Sequence, residues 1–216
     1  MKINRFYLIL ITAAVGCNLY ALSNRIKKIN PKGKKIVFIG DSHTNFRNFG
    51  WQNVLAKQYE FNQVNLSAGA KRTDWMLQTL QNYLNNNTCD AVFIYGGAND
   101  AYSNVSNSTA VANIQKMIDL CNKKKITPIV VLGYDPMVIS FNRVKPTTNV
   151  PTQQGINELT KKYAEQQKLA AKKLQNAIVV PVWNGGKKTD TIDALHLTPE
   201  AQKRFANFIG NKVFRK

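Results

Sequence analysis

Polar residues suited to acyl transfer follow several apolar segments of this sequence. Gly40-Asp41-Ser42 comes directly after one such segment, and near the C-terminus Asp193 precedes His196 by three residues. A serine hydroxyl is a weak nucleophile that requires a histidine base, and the histidine requires a carboxylate that fixes its tautomer and stabilises the imidazolium. The sequence thus contains the hydroxyl, the imidazole and the carboxylate that this chemistry needs.

The same chemistry needs hydrogen-bond donors for the oxyanion that develops on the attacked carbonyl. Ser42, after a tight glycine turn and at the start of a helix, would expose its backbone N–H together with its hydroxyl. Ser67-Ala68-Gly69 and Gly97-Ala98-Asn99-Asp100 follow two later apolar runs, where Gly69 can offer an unobstructed N–H and Asn99 a side-chain amide. These donors complete the set of groups for acyl transfer.

The elements that must position these loops alternate between short β-branched runs and longer helical patterns. Runs that are apolar on both faces are typical of a buried parallel sheet with helices on both sides. Ligands of such sheets bind at the carboxyl ends of the strands, so we expect the polar loops to meet at one edge. The predicted strands are 35–40, 61–67, 90–97, 126–133 and 176–183, and the predicted helices lie near 50–58, 73–84, 109–124, 155–174 and 199–213.

With these blocks in this order, the sequence resembles the SGNH (GDSL-type) hydrolases over nearly the whole chain from Lys34 to the last helix. The family's Gly-Asp-Ser, Gly-x-Asn-Asp and final Asp-x-x-His are all matched, and "NLSAGAKRT" is the second block, in which either Gly69 or Ala70 stands at the family's glycine. The resemblance implies an α/β fold, a three-layer α/β/α sandwich around a mostly parallel five-stranded sheet of flavodoxin-like topology. It also implies catalysis without a metal or another cofactor.

The resemblance assigns a role to each matched residue. Ser42 is expected to be the nucleophile, and Asp193 and His196 are expected to be the acid and the base of a catalytic triad. The backbone N–H of Ser42, that of Gly69 and the side chain of Asn99 are expected to form the oxyanion hole. Either register of the second block supplies a backbone donor.

Three further residues are candidates for substrate contact. His43 adjoins Ser42, although an exposed helix position would suit it equally well. Tyr134 and Met137 belong to the segment 134–154, which contains three prolines and is longer than an ordinary connection. Its apolar side chains either line a groove for an acyl chain or hold the loop against the core.

The formal net charge of the chain is +18. Nucleic acid, a membrane surface and acidic envelope polymers all fit such a charge. The lysines are scattered along the chain, and the sequence has no zinc-finger spacing, no basic stripe interleaved with aromatic residues and no RNA-recognition signature. We therefore favour a solvated basic surface and do not expect nucleic acid as a partner.

An apolar stretch, Phe6 to Leu22, stands apart from the rest of the sequence. It is typical of a signal peptide, and its length is at the lower limit for a membrane span. We predict a signal peptide or membrane anchor at 1–23, a basic linker at 24–33 and the hydrolase domain at 34–216, with cleavage, acylation and retention of the anchor left open. A cell-envelope location follows, periplasmic or extracellular, although the more basic C-terminal flank argues against export.

These features predict a serine esterase that hydrolyses O-acyl esters, above all O-acetyl esters, of a cell-envelope or extracellular carbohydrate. The alternatives are a lysophospholipase or thioesterase, and a non-catalytic basic module that binds acidic polymers. The expected partner is a small acyl ester or an acylated glycan, with membrane attachment through the N-terminal segment. Two histidines and three cysteines without ligand spacing argue against a metal site, and no cofactor is expected.

Overall fold

The computed structural model describes residues 28–45 and 49–215. The strands within these ranges are β1 Lys35–Gly40, β2 Asn62–Asn65, β3 Ala91–Tyr95, β4 Thr127–Val131 and β5 Ile178–Val180. The helices are α1 Trp51–Tyr59, α2 Thr73–Asn86, α3 Ala98–Tyr102, α4 Asn107–Lys123, α5 Pro136–Ile139, α6 Gln153–Lys173 and α7 Pro199–Val213, with one 3₁₀ turn at Lys188–Asp190.

The five strands form one sheet in the order β2-β1-β3-β4-β5, and each neighbouring pair is parallel. The order places β1 beside β3, so the chain reverses its direction of winding between these two strands. Such a switch point opens a crevice at the carboxyl ends of the strands. The predicted three-layer sandwich with a flavodoxin-like sheet is confirmed.

Alternate side chains of the sheet enter two separate cores, as the period of a strand requires. In β1, Ile36 and Phe38 join the core beneath α1 and α7, whereas Val37 and Ile39 join the core beneath α2, α4 and α6. The helices contribute their apolar stripes to these cores. The first core takes Trp51, Leu55, Phe205 and Ile209, and the second takes Met76, Leu80, Ile114, Ile118 and Ala170.

The predicted elements agree with the structure except in short segments. Strand β1 has the predicted bounds, whereas the other four strands begin one or two residues later and end two or three residues earlier than the apolar runs that predicted them. The last residues of these four runs enter the loops of the carboxyl edge. The helices α3 and α5 were not predicted, since four or five residues are too few for a helical period to show. The expected helix start at Ser42 is wrong: residues 41–44 form a turn, and α1 begins at Trp51.

The described chain contains no helix that is both long and apolar enough to span a membrane. The apolar stretch Phe6 to Leu22 and the predicted 1–23 segment lie outside the described residues. Cys89 and Cys121 are buried free thiols in the second core. The residues 28–45 and 49–215 contain no group of three or more potential metal ligands.

Candidate active site

The turn that carries Ser42 begins at Gly40, the last residue of β1, which pairs with Tyr95 of β3. A Cβ atom on Gly40 would lie 2.5 Å from the Tyr95 carbonyl oxygen and 2.6 Å from Thr44 Oγ1. Because the first of these atoms is backbone in the neighbouring strand, only glycine fits without displacing the sheet. The chain then closes a tight turn, in which the Asn45 N–H donates to the Asp41 carbonyl over 2.9 Å. Ser42 is thereby held at the carboxyl edge of the sheet.

Ser42, His196 and Asp193 lie together in one hydrogen-bonded chain. His196 Nε2 lies 2.9 Å from Ser42 Oγ, and His196 Nδ1 lies 2.7 Å from Asp193 Oδ2. The other carboxylate oxygen, Asp193 Oδ1, accepts the backbone N–H of Leu195 at 3.0 Å and that of His196 at 2.7 Å. Sequence positions separated by 154 residues thus meet at hydrogen-bonding distance.

The carboxyl group of Asp193 is kept ionised by its partners. Partial burial opposes ionisation, but the backbone and ring N–H groups of His196 and the Leu195 N–H outweigh it and lower the pKa of Asp193. Each of these donors interacts more strongly with the carboxylate than with the neutral acid. The ring of His196 is oriented by a fixed negative charge.

A second acid in the same loop, Asp190, has a different environment. Its side chain is 8% exposed, forms a salt bridge with Arg204 and accepts the Lys187 N–H at 2.7 Å. Its carbonyl oxygen accepts the Thr198 N–H at 2.7 Å. Asp190 therefore closes the base of the loop that carries Asp193.

Asn99 reaches the site from the start of α3, beyond a glycine that no other residue could replace without strain. Gly97 has a φ angle of 112°, and a Cβ there would lie 1.8 Å from Gln166 Nε2. The Nδ2 atom of Asn99 donates to the Lys71 carbonyl at 3.1 Å and, over a longer 3.3 Å, to Asp41 Oδ2. The side-chain amide therefore lies against the residue that precedes Ser42.

The second block passes the same edge without steric constraint. A Cβ on Gly69 would have no atom within 4 Å, whereas Ala70 adopts the left-handed conformation with a φ angle of 58°. Both residues are exposed. Neither their N–H groups nor the space around them distinguishes Gly69 from Ala70, so the register of this block stays a prediction.

Asp41 is fully buried behind Ser42. Burial raises the pKa of its carboxyl group to about 7, the N–H of His43 opposes the shift, and the nearby charge of Asp100 adds to it. Asp41 Oδ1 accepts the His43 N–H at 2.9 Å. The side chain holds the turn of Ser42 on one side and Asn99 on the other.

His43 and Tyr134 are buried close to His196, at 5% and 2% exposure. The Tyr134 hydroxyl donates to the Leu195 carbonyl and lies 3.1 Å from His43 Nδ1. The single proton of the Tyr134 hydroxyl is used in the bond to Leu195. The bond between Tyr134 and His43 therefore needs a proton on His43 Nδ1. Burial, followed by the charge of the neighbouring His196, lowers the pKa of His43 to about 3 and keeps its ring neutral.

The three candidates for substrate contact therefore occupy different positions. His43 and Tyr134 are buried and connect the Ser42 turn to the loop of His196, whereas Met137 is partly exposed on α5. Substrate contact by these residues stays a prediction. Exposed large apolar side chains in the described ranges are Val138, beside Met137, and Ile192, beside Asp193, at 39% and 61% exposure.

Sequence reasoning missed most of the supporting contacts. Trp51 Nε1 donates to the His43 carbonyl at 3.1 Å, and the Trp51 N–H donates to Gln202 Oε1 at 3.0 Å. These bonds tie α1 and α7 to the turn of Ser42. Aromatic and amide residues inside a helical pattern are predicted to be core positions, so no local signal indicates that Trp51 and Gln202 hold the turn of Ser42 in place.

Comparisons with known proteins bear on the fold and the family of this chain. No curated protein matches the sequence significantly. Among solved structures, a member of the lipolytic protein G-D-S-L family from Veillonella parvula is similar at 18% identity and a TM-score of 0.62, over 83% of this chain and 97% of that one. A catalytic mutant of an acetylxylan esterase from Geobacillus stearothermophilus is similar at 16% identity and a TM-score of 0.60, over 87% and 97%.

A GDSL-like lipase from Bacteroides thetaiotaomicron is also similar, at 19% identity and a TM-score of 0.59, over 82% of this chain and 86% of that one. At such identities the solved structures show a shared fold. The model of the GDSL-like Lipase/Acylhydrolase family matches residues 38–204, which include the turn of Ser42 and the loop of His196. The chain belongs to this family and is a carboxylic ester hydrolase.

Proposed function

We propose that this protein is a serine esterase that removes O-acyl groups, in the first place O-acetyl groups, from a carbohydrate. The observation that carries the proposal is the continuous chain from Ser42 Oγ through His196 to Asp193, with distances of 2.9 and 2.7 Å. Its two bonds have the order that nucleophilic catalysis by serine requires. Membership of an ester hydrolase family supports a reaction at this site.

In the proposed mechanism, Ser42 Oγ attacks the ester carbonyl while His196 Nε2 takes the hydroxyl proton. Asp193 stabilises the imidazolium that forms. Collapse of the tetrahedral intermediate breaks the ester bond, and His196 returns its proton to the leaving alcohol. Water then attacks the acyl-enzyme in the same way, which releases the carboxylic acid and restores Ser42.

The oxyanion of both tetrahedral intermediates needs donors at the same edge. We assign the N–H groups of Ser42 and Gly69 and one side-chain N–H of Asn99 to this task. The bond from Asn99 to Asp41 is the longer of its two, at 3.3 Å, and it is the one that a developing oxyanion would replace. The bond to the Lys71 carbonyl would keep the amide oriented.

The acetyl–carbohydrate preference rests on two supports. One similar solved structure is that of an acetylxylan esterase, which shares the fold of this chain. The other is the net charge of +18, which suits an anionic polymer as the carrier of the ester. We place the enzyme in the cell envelope because of the apolar stretch Phe6 to Leu22.

Lipid esters or thioesters are the second candidate substrates. Val138 and Ile192 are exposed beside two elements of the site, and an acyl chain would remove their apolar surface from water. Met137 adds a flexible side chain on the same short helix. An acyl groove built from these residues would favour long chains over acetyl.

The test is hydrolysis of p-nitrophenyl acetate and p-nitrophenyl octanoate by the full chain, beside Ser42→Ala, His196→Ala and the exposed-serine control Ser103→Ala. We expect kcat to fall at least about 10⁴-fold in the first two variants. The control should keep its rate. A fluorophosphonate probe should label the wild type and the Ser103→Ala control far more than Ser42→Ala and His196→Ala, which lack the nucleophile and its base.

The two substrates separate the candidates. A higher kcat/KM for the acetate ester supports deacetylation. A higher kcat/KM for the octanoate ester favours lipid esters or thioesters as the substrates. If Ser42→Ala retains the wild-type rate while the protein stays folded, the proposed nucleophile is wrong.

A further inference from the structure

The edge of the sheet opposite Ser42 carries a concentration of positive charge. In this fold the amino ends of the strands and the carboxyl ends of the helices lie at one edge. A shallow cavity there joins Lys28, Lys34 and Arg215 to the first residues of β3, β4 and β5. We call this surface the basic edge; its members are Lys28, Lys32, Lys34, Lys35, Lys57, Lys123, Lys124, Lys125, Lys172, Lys173, Lys212 and Arg215.

Contacts between elements bring several of these cations close together. The Asn122 side chain donates to the Asn176 carbonyl at 3.0 Å, which joins the end of α4 to the chain that leaves α6. Arg215 Nε donates to the Lys28 carbonyl at 3.0 Å, which joins the end of α7 to the chain that precedes β1. Lysines from separate parts of the sequence are therefore neighbours on one surface.

Carboxylates balance little of this charge. Glu60 pairs with Lys32 and Asp90 pairs with Lys34. The other members of the basic edge form no ion pair within the described residues. Cations at helix carboxyl ends are favoured by the helix dipole, but Lys28, Lys32 and Lys34 lie on no helix, so this preference does not account for the whole surface.

We infer that the basic edge docks on an anionic phospholipid bilayer. The sequence that immediately precedes Lys28 points to this partner. Only residues 23–27 separate the apolar stretch that ends at Leu22 from Lys28 on the basic edge. A fully extended chain of this length spans about 20 Å, so a membrane that holds the stretch is within reach of the basic edge.

Charge complementarity favours the same partner. Clusters of lysine and arginine beside a membrane-associated segment are attracted to acidic lipid headgroups over about a Debye length. A broad surface built from several elements suits a planar array of headgroups. The phosphates of a nucleic acid would attract the same cations, but only the bilayer also accounts for the apolar stretch that precedes Lys28.

Docking in this way orients the site. Strand β1 spans six residues, about 20 Å, from the basic edge to the turn of Ser42. The site then opens away from the bilayer, toward esters in the aqueous phase. This inference goes beyond the proposed reaction and does not depend on it.

The test is partition of the full chain between buffer and sonicated vesicles, made either of neutral phosphatidylcholine or of phosphatidylcholine with phosphatidylglycerol. The apolar stretch contributes to both partitions, so the ratio of the two isolates the effect of lipid charge. We expect Lys124→Glu/Lys172→Glu/Lys173→Glu to lower this ratio at least about tenfold. The matched control reverses three exposed lysines near the site: Lys145→Glu/Lys187→Glu/Lys188→Glu.

Amine acetylation followed by mass spectrometry provides the second measurement. On anionic vesicles, lysines of the basic edge should be protected, while Lys187 and Lys188 should stay reactive. A ratio that is unchanged in the basic-edge variant, or lowered equally in the control, would overturn the inference. So would a preference of the basic edge for an RNA oligonucleotide with no preference for anionic vesicles.

Discussion

The two edges of the sheet use charge in opposite ways. At the carboxyl edge, acids are fixed by specific partners: Asp193 by His196 and backbone N–H groups, and Asp190 by Arg204. At the basic edge, most lysines are exposed and unpaired with acids in the described chain. The five strands therefore separate two kinds of interaction. Short-range, directional hydrogen bonds and ion pairs act at the carboxyl edge, and long-range electrostatic interactions act at the basic edge.

This difference has a physical consequence for mutation. A buried or precisely held group loses its function when one partner is removed, because the remaining partner is left unsatisfied. Exposed charges act through their sum and are screened by salt. Single substitutions should thus have large effects at the carboxyl edge and small, salt-sensitive effects at the basic edge.

The largest expected effect compares two acids of one loop. Asp193→Asn should lower kcat about 10³- to 10⁴-fold on p-nitrophenyl acetate, because the amide cannot stabilise the imidazolium of His196. Asp190→Asn should lower kcat less than tenfold but should lower the Tm, since it weakens the pairing with Arg204 at the base of the loop. Steady-state kinetics and thermal unfolding measure the two effects. Equal losses of kcat would show that Asp193 acts only by supporting the loop.

Sequence patterns predicted those parts of the molecule that depend on local periodicity. The five strands were placed because β-branched runs such as Ile36 to Ile39 are apolar on both faces. The start of α7 was placed because Thr198 and Pro199 are a cap and a first-turn residue, and the Thr198 hydroxyl does accept the Ala201 N–H. Both signals lie within a few residues of the feature that they predict.

The remaining features depend on contacts between distant residues. Nothing near Tyr134 indicates that its hydroxyl lies between His43 and the Leu195 carbonyl. Many of the lysines are far apart in the sequence because four helices, α1, α4, α6 and α7, each carry lysine in the last turn. The fold then gathers these helix ends at one edge. Local patterns thus predicted the loops that form the site. The burial of the residues that support the site, and the gathering of lysines at the opposite edge, could be found only from the structure.

A second prediction concerns the buried groups behind Ser42. His43 has a pKa of about 3 in the folded chain and about 6.5 when unfolded, so the unfolded state binds the extra proton between these values. The stability contributed by neutral His43 is present above pH 6.5 and is lost as the pH falls. Asp41, with a folded pKa of about 7, acts in the opposite sense, because the folded state binds the extra proton between about pH 4 and 7.

In the wild type these two contributions offset each other between about pH 4 and 6.5. His43→Gln should make the free energy of unfolding fall with rising pH, relative to the wild type, by about 1.4 kcal/mol per pH unit. Asp41→Asn should shift the slope by about the same amount with the opposite sign. Urea unfolding at pH 4.5, 5.5 and 6.5 measures both slopes. Parallel curves for the two variants would mean that these groups are solvated like exposed ones.

The smallest expected effect belongs to the basic edge itself. Lys28 lies beside Arg215 and on no helix, so neutralising it relieves repulsion without loss of a helix-dipole interaction. Lys28→Gln should raise the Tm by up to about 2 °C in low salt, whereas Lys145→Gln, at the other edge, should leave it nearer the wild-type value. In about 1 M salt, where the Debye length is about 3 Å, the difference between the variants should vanish. A gain that persists in high salt would indicate a local packing effect, and the charge at this edge would then be too well solvated for its members to repel one another.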